Sequence, residues 1–427
     1  MIDPELANRP LTADDASRNA DELRVVVSSV AGVQLTASAE AEQRGPKMPE
    51  LGADHKEFLD IYTAARRGDA KELGLLMEGG ADIDIRFTNA NTPLIWACRM
   101  GLKDAAIMLL EAGADLEAKN EFGSTALGEA AEQGRQEVVA ALIDAGANKL
   151  TQDQRHNTPL MLAARNGMVE AVGAILEQAK VQSEVEGEGE VDGPMMDLEQ
   201  HDTEGYTAVM WAVLSGHIKA VRLLTAKGAS IENVNANGVT VFGMAARMGQ
   251  DAILKALLEV VVTAMTPEEL EVNILRANKL LGITDKKQCS VLMWAVRAAS
   301  APSSGDGDDP KARAKECCRI ILDGQAKQGG LDTLDSQNAD GDTALIWAAS
   351  AGQTDIVQYL LDKGADRLVK NAMNNTACDM AKELGHTGCE ELCAPMSATK
   401  RERRQTLVTP LELEGGGGSV MGGASSP

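Results

Sequence analysis

The six residues TPLIWA, Thr92 to Ala97, return along the chain with small changes: TALGEA from Thr125, TPLMLA from Thr158, TAVMWA from Thr207, TVFGMA from Thr240, SVLMWA from Ser290, TALIWA from Thr343 and TACDMA from Thr376. Four of the seven steps between neighbouring phrases are 33 residues, and the other three, 49, 50 and 53, are the same period lengthened by 16, 17 and 20. A fixed period of this size marks an array of small units, each of which must stack on its neighbours to bury its apolar face.

The surroundings of the phrase say what one unit is. Six residues before the phrase's second position stands an Asx residue: Asn120, Asp153, Asp202, Asn235, Asp285, Asn338 or Asn371, with Phe87 in the first copy as the departure. Asx side chains start turns by accepting from the backbone two residues on. Three residues later the sequence has Gly123, Gly205, Gly238 or Gly341, with His156 and Asn374 in two copies, as a left-handed turn position asks; Ala90 and Gln288 fit it less well. After each phrase come a turn and an apolar run such as DIVQYLLDKGAD. The unit is therefore read as an Asx turn, a short helix, a Gly turn, a second helix and a Gly-ended exit.

This pattern resembles the ankyrin repeat, from about Phe58 to Cys393. The resemblance implies an all-α repeat solenoid of helix-turn-helix units joined by β-hairpin-like loops. The histidine that follows T-P-L in the family is replaced throughout, by Ile95, Gly128, Met161, Met210, Gly243, Met293, Ile346 and Asp379. Its hydrogen bond in the turn is thus lost, and the tryptophan of four copies is expected to compensate by packing. The stretch from His55 to Thr88 has the helices without the phrase and reads as an N-terminal capping unit; the copy from Thr376 reads as the C-terminal cap. Nine units result over residues 55–393, between a flexible arm (1–54) and a flexible tail (394–427). Insertions fall near 180–200, 263–284 and 300–330: the first is acidic (EVEGEGEVDGPMMDLE from Glu184), the second opens Thr-Pro-Glu-Glu at Thr266 as a helix would, and the third separates the two helices of one unit. Passive solvated loops and functional loops both remain open for these.

Composition bounds the function. Aromatics are 3% of the 427 residues, which suits close helix packing, and the net charge of −23 with a pI near 4.7 excludes a general nucleic-acid binder. No apolar run reaches the roughly 20 residues of a membrane span, and the start Met-Ile-Asp-Pro-Glu has no secretory or transit pattern. The expectation is a cytoplasmic protein, with the nucleus as the alternative, and a monomer. Seven cysteines, an odd number without compact spacing, fit a reducing compartment.

Several clusters invite a chemical reading. Cys378, His386, Cys389 and Cys393 could be drawn as a zinc site, yet Cys378 takes the Leu place of the phrase and Cys389 and Cys393 align with Ile356 and Leu360, so core packing is expected. Only Cys289, in a turn, looks free to react. Trp96, Trp211, Trp294 and Trp347 share one place in the first helix and read as packing residues. Asp306, Asp308 and Asp309 lack calcium-loop spacing. Walker, HExxH, GxSxG and kinase signatures are missing, and no nucleophile stands beside a base, so neither an enzyme nor a cofactor is expected.

The reading is a protein-interaction module or scaffold; the alternative is a regulatory or targeting subunit of an enzyme complex, with Thr406 phosphorylated beside Arg403 and Arg404 in the tail. The ankyrin resemblance implies a concave face made of hairpin tips and of first-helix residues before the Gly turn. The tips carry Phe122, Arg155 and Tyr206; the helices present Arg66, Arg99, Met100, Arg165, Leu214, Arg247, Met248 and Arg297. The arginines at one shared place, interrupted by Glu132, either line a positive groove for an acidic or phosphorylated protein segment or merely cover their neighbours with their stems.

Overall fold

The computed structural model describes residues 56–177, 198–262, 276–300, 309–326 and 333–394. The arm 1–54, the acidic insertion from Glu184, the second insertion's opening at Thr266 and the tail with Thr406 lie outside them. Nine units follow one another, each a pair of helices: Lys56–Arg67 with Ala70–Glu78, Pro93–Met100 with Lys103–Glu111, Ala126–Glu132 with Gln136–Asp144, Pro159–Arg165 with Val169–Glu177, and Ala208–Leu214 with Ile218–Ala226. The remaining four are Val241–Arg247 with Asp251–Val262, Val291–Ala298 with Pro310–Ala326, Ala344–Ser350 with Thr354–Asp362, and Ala377–Glu383 with Thr387–Cys393.

Each recurring phrase begins a helix because its Thr or Ser is the N-cap. In all eight copies that hydroxyl accepts from the third helical amide, between 3.1 Å in the Thr240 copy and 3.5 Å in the Thr207 copy, which satisfies a donor the helix itself cannot. In the last copy Asp379, at the family's histidine place, also reaches back to the Thr376 amide at 2.9 Å and completes a capping box.

Ahead of each cap the Asx residue organises the turn. In all seven copies its Oδ1 accepts from the amides two and four residues on, at distances from 2.8 to 3.1 Å. In the first hairpin, where Phe87 replaces it, Asn91 Nδ2 donates to the Thr88 carbonyl at 3.0 Å instead. The residue three places on is left-handed in every copy, including His156, Asn374, Ala90 and Gln288. Ala90 (φ 55°) and Gln288 (φ 60°) hold that conformation although glycine would hold it with less strain. Among the described residues the hairpins form no strands; Val234 and Thr240 make an isolated antiparallel bridge.

One backbone bond joins each hairpin to the next. It runs from Glu121 to Asn89, Gln154 to Phe122, Thr203 to Arg155, Ala236 to Glu204, Lys286 to Asn237, Ala339 to Lys287 and Ala372 to Asp340, at 2.8–3.1 Å. Three of these junctions carry inserted sequence, and the bond survives in all three. The helices follow the same order: every first helix packs on the first helix of the next unit, and every second helix on the next second helix. The core between the two layers is continuous and made mostly of Ala, Leu, Val and Ile, with Phe242 the largest fully buried side chain.

The insertions show up where they join the layers. Residues 276–282 are helical, as the second insertion leads one to expect, and bury Ala277, Leu280 and Leu281. In the seventh unit the second helix, Pro310–Ala326, runs 17 residues against nine in Thr354–Asp362. Its outer face carries an ion-pair chain across three units: Lys255 to Glu316 (2.9 Å), Arg319 to Glu316 (2.7 Å) and Asp323 (3.1 Å), then Asp323 to Lys363 (2.8 Å). Hydrogen bonds from Arg319 and Lys255 hold the Glu316 carboxyl down to about 2.

Tip glycines answer to space as well as to φ. A Cβ on Gly205 (φ 80°) would lie 2.7 Å from the Ala236 amide nitrogen, whereas one on Gly228 (φ 94°), at a unit exit, meets nothing within 4 Å. Both alanine variants bear left-handed strain, but Gly205→Ala should lose about 1–3 kcal/mol more, the usual cost of overpacking. Denaturant melts of the two variants check this; equal losses would mean that the tip-to-tip contact yields freely.

Candidate functional site

Of the residues that the sequence singles out, all but Tyr206 stand at hairpin tips or at the C-terminal ends of first helices. Arg66, Arg155, Met100 and Phe122 are exposed, the last two at 49% and 57%. Arg99, Arg165, Leu214, Arg247, Met248 and Arg297 are half-buried. Tyr206 is not at a tip. It stands two residues further in than Phe122 and Arg155 do in their hairpins, half-buried, with its ring centroid 5.0 Å from that of Trp211. The spacing of the Asx residue alone, Asp202, would have placed it correctly.

The row of arginines is not uniform. Arg165 Nη2 pairs with Glu132 Oε1 at 2.6 Å, and Arg99 Nε lies 3.9 Å from Glu129 Oε2. Of the five arginines at the shared place, Arg99 and Arg165 thus each have a glutamate of the neighbouring unit beside them, which weakens the positive-groove alternative at those two places. Sequence reading saw Glu132 only as an interruption and missed Glu129, which takes the tryptophan place in its copy. Glu129 is 6% exposed; Asn120 Nδ2 donates to it at 3.0 Å and also to Asn91 Oδ1 at 3.1 Å. Burial, helped by the Glu132 charge, raises its carboxyl above the ordinary range against the pull of Arg99 and Asn120.

Further along, the arginines stack on the tryptophans. The guanidinium of Arg165 sits 5.5 Å from the Trp211 ring centre, that of Arg247 5.1 Å from Trp294, and that of Arg297 5.5 Å from Trp294 and 5.9 Å from Trp347. Trp294 and Trp347 meet edge to face at 6.1 Å. Arg99 lies over its own unit's Trp96 at 5.9 Å. Among the described residues no carboxylate comes within ion-pair distance of Arg247, and the neighbouring tip presents Lys286 and Lys287, both exposed. Exposed cations therefore stand at the seventh tip, Lys286 and Lys287, and also at Arg66 and at the fourth tip, Arg155.

The tryptophans do more than pack. Trp211 Nε1 donates to Asp202 Oδ2 at 3.0 Å, and Trp347 Nε1 to Asp342 Oδ2 at 3.2 Å, so in these copies the indole ties helix to turn where the family's histidine is absent. Trp294 Nε1 is buried without an acceptor; Cys289 stands where Asp342 stands in the next unit, and Asp285, at the place of Asp202, does not reach it. Cys289 is itself buried, at 4% exposure, and burial pushes its thiol up to about 11, which corrects the expectation of a reactive turn cysteine. Cys378 is the half-buried one. His386 Nε2 lies 3.0 Å from the Ser350 carbonyl, Cys389 and Cys393 are in the core, and among the described residues no three ligating side chains are grouped to hold a metal ion.

Two outcomes follow from this geometry. Trp211→Phe strands the buried Asp202 oxygen and should cost about 1–3 kcal/mol more than Trp294→Phe, whose indole makes no such bond; equal costs in denaturant melts would show the bond to be idle. A carboxyl raised by folding adds stability that is full below the ordinary glutamate range and lost as pH rises through the folded value. Glu129→Gln keeps the oxygen that Asn120 needs, so it should melt above the parent at about pH 7 and level with it near pH 4, where both are neutral.

A family model described as ankyrin repeats, in three copies, matches residues 56–120, 115–186, 193–266 and 311–402. Among curated proteins, the NAD-capped RNA hydrolases NUDT12 of Homo sapiens and Macaca fascicularis are each 38% identical over 68 residues, 16% of this chain. The chain spans 15% of the length of those relatives. Among solved structures the human ASB11 ankyrin repeat domain aligns with a TM-score of 0.45 at 19% identity, over 62% of this chain and 96% of that one. Among the described residues no helix is long and apolar enough to cross a membrane. With the capped phrase, the Asx turn and the paired helices in place, and a family model matching well over half its length, the chain belongs to the ankyrin-repeat family.

Proposed function

We propose that this protein is a binding module, not a catalyst, which captures a protein partner on the face made of its hairpin tips and first-helix ends, in the cytoplasm. Ankyrin repeats are in general protein-binding modules. The observation that carries the reading is the stacked set Arg247, Trp294, Arg297 and Trp347 beside Lys286 and Lys287. A guanidinium laid on an indole has lost most of its side-chain freedom already, while its N–H edges stay able to meet a carboxylate, so less entropy remains to be lost on binding. Tryptophan and arginine are also the types that dominate interface energetics.

Charge reversal tests it. Arg247→Glu with Arg297→Glu, and separately Lys286→Glu with Lys287→Glu at the exposed tip, should remove partner capture from the native cell lysate; the tip variant should leave the helical melt unmoved, so that its loss of capture is not a loss of folding. Undiminished capture by both variants would overturn the assignment to this face. Mass spectrometry of the captured proteins then separates a scaffold, with several unrelated clients, from a targeting subunit with one dominant catalytic partner.

A further inference from the structure

Each of the seven hairpins built on an Asx turn presents one tip residue, two places after the Asx, whose amide the Asx oxygen holds. In chain order these are Phe122, Arg155, Glu204, Asn237, Lys287, Asp340 and Met373, and all seven are exposed. Among the described residues none of the four charged ones is engaged in an ion pair. The row is evenly stepped. Each hairpin closes on itself, as Asn120 N to Ser124 O does, and bonds once to the next, as Gln154 N to Phe122 O does, so one tip follows another at two strand spacings, roughly 10 Å.

The row is its own complement. Reversed about Asn237, it sets Phe122 opposite Met373, Arg155 opposite Asp340, Glu204 opposite Lys287 and Asn237 opposite itself. Apolar meets apolar, each charge meets its opposite, and an amide able to donate and accept meets its twin. Other two-fold pairings fail. Laid parallel, every charged tip faces its own copy; slipped by one step, the antiparallel rows set Arg155 against Lys287 or Glu204 against Asp340; slipped by two, Glu204 or Lys287 meets itself on the axis. Like charges placed opposite each other disfavour all of these and leave one register.

Resting on the proposed use of this face for protein capture, we infer that its hairpin tips take a second copy of this chain, in an antiparallel two-fold dimer with the axis at Asn237. A two-fold contact must be self-complementary, which the row is. Charge allows the approach there. With the residue before each tip included, the row carries three cations, Arg155, Lys286 and Lys287, and three carboxylates, Glu121, Glu204 and Asp340, so it is neutral in a chain of net charge −23. Glu121 falls against Ala372 and meets no like charge. Two evenly stepped rows stay in step over their whole length, so all the pairs form together. The contact is long and narrow, at the small end of specific interfaces, which makes the dimer weak and reversible, in place of the monomer expected from the sequence.

Analytical ultracentrifugation of the full chain from about 1 to 300 µM should show a monomer–dimer equilibrium. Lys286→Glu with Lys287→Glu in one variant, and Glu204→Lys in another, should each weaken it by roughly tenfold or more. Mixed together, the two variants should associate as the parent does, because each chain then meets the opposite charge at both places; damage to the fold gives no such rescue. Asn237→Cys, on the axis, should yield a disulfide-linked dimer under mild oxidation, while Arg155→Cys, facing Asp340, and the parent, whose cysteines are buried or half-buried, should not. A parent that stays monomeric over this range, a mixture no better than either variant alone, or cross-linking as ready at Arg155→Cys as at Asn237→Cys overturns the dimer. If a parent shown to be monomeric still captures protein from lysate, and Arg247→Glu with Arg297→Glu abolishes that capture, the face stands as a partner site and only the second copy is overturned.

Discussion

One oxygen in each of seven units holds the array in register. The Oδ1 of Asn120, Asp153, Asp202, Asn235, Asp285, Asn338 and Asn371 accepts two amides of its own hairpin, and this fixes the loop so that its next amide and carbonyl point at the hairpins on either side. Where Phe87 replaces the Asx residue, Asn91 closes the hairpin through the Thr88 carbonyl, and the Asn89 carbonyl still accepts the tip-to-tip bond, so some side-chain closure of the turn is kept even there. Helices of seven to nine residues are too short to persist alone, so their order comes from stacking, and the stacking comes from the turn.

What could be read from the sequence was what is decided within about ten residues. The Asx residue, the left-handed position and the capping hydroxyl each act on amides two to four places away, so their spacing betrays them; even Ala90 and Gln288, poor residues for the conformation, adopt it because their neighbours demand it. The charges on the face were not legible in the same way. Arg165 meets a glutamate 33 residues earlier and Arg99 one 30 residues later, and nothing in either local pattern says whether such a pair closes across the unit boundary. Cys289 was misjudged for a related reason: its turn is local, but the cover over it comes from the neighbouring unit and from residues around Ile283.

The tryptophan place shows how one position can serve several ends. In two copies the indole N–H restrains the turn through an aspartate; in another, glutamate makes the equivalent contact through Asn120 at the expense of a buried charge; in a third the N–H has no acceptor at all and the ring is held by flanking guanidiniums and by Trp347. Stability and recognition are therefore not separate sets of residues here. The arginines that cover the rings are the ones that define the charge of the face.

The junction bond also determines where the molecule can tolerate change. The inserted sequence near 180–200 and 263–284 enters between a second helix and the following Asx residue, and that near 300–330 around the second helix of one unit; none falls between an Asx residue and its cap. A loop at such places can lengthen at a cost that grows only with the logarithm of its length, and the spacing of the tips does not register it. Mutation can thus explore new loop sequence while the face keeps its geometry, which separates the part of the protein free to drift from the part that must hold still.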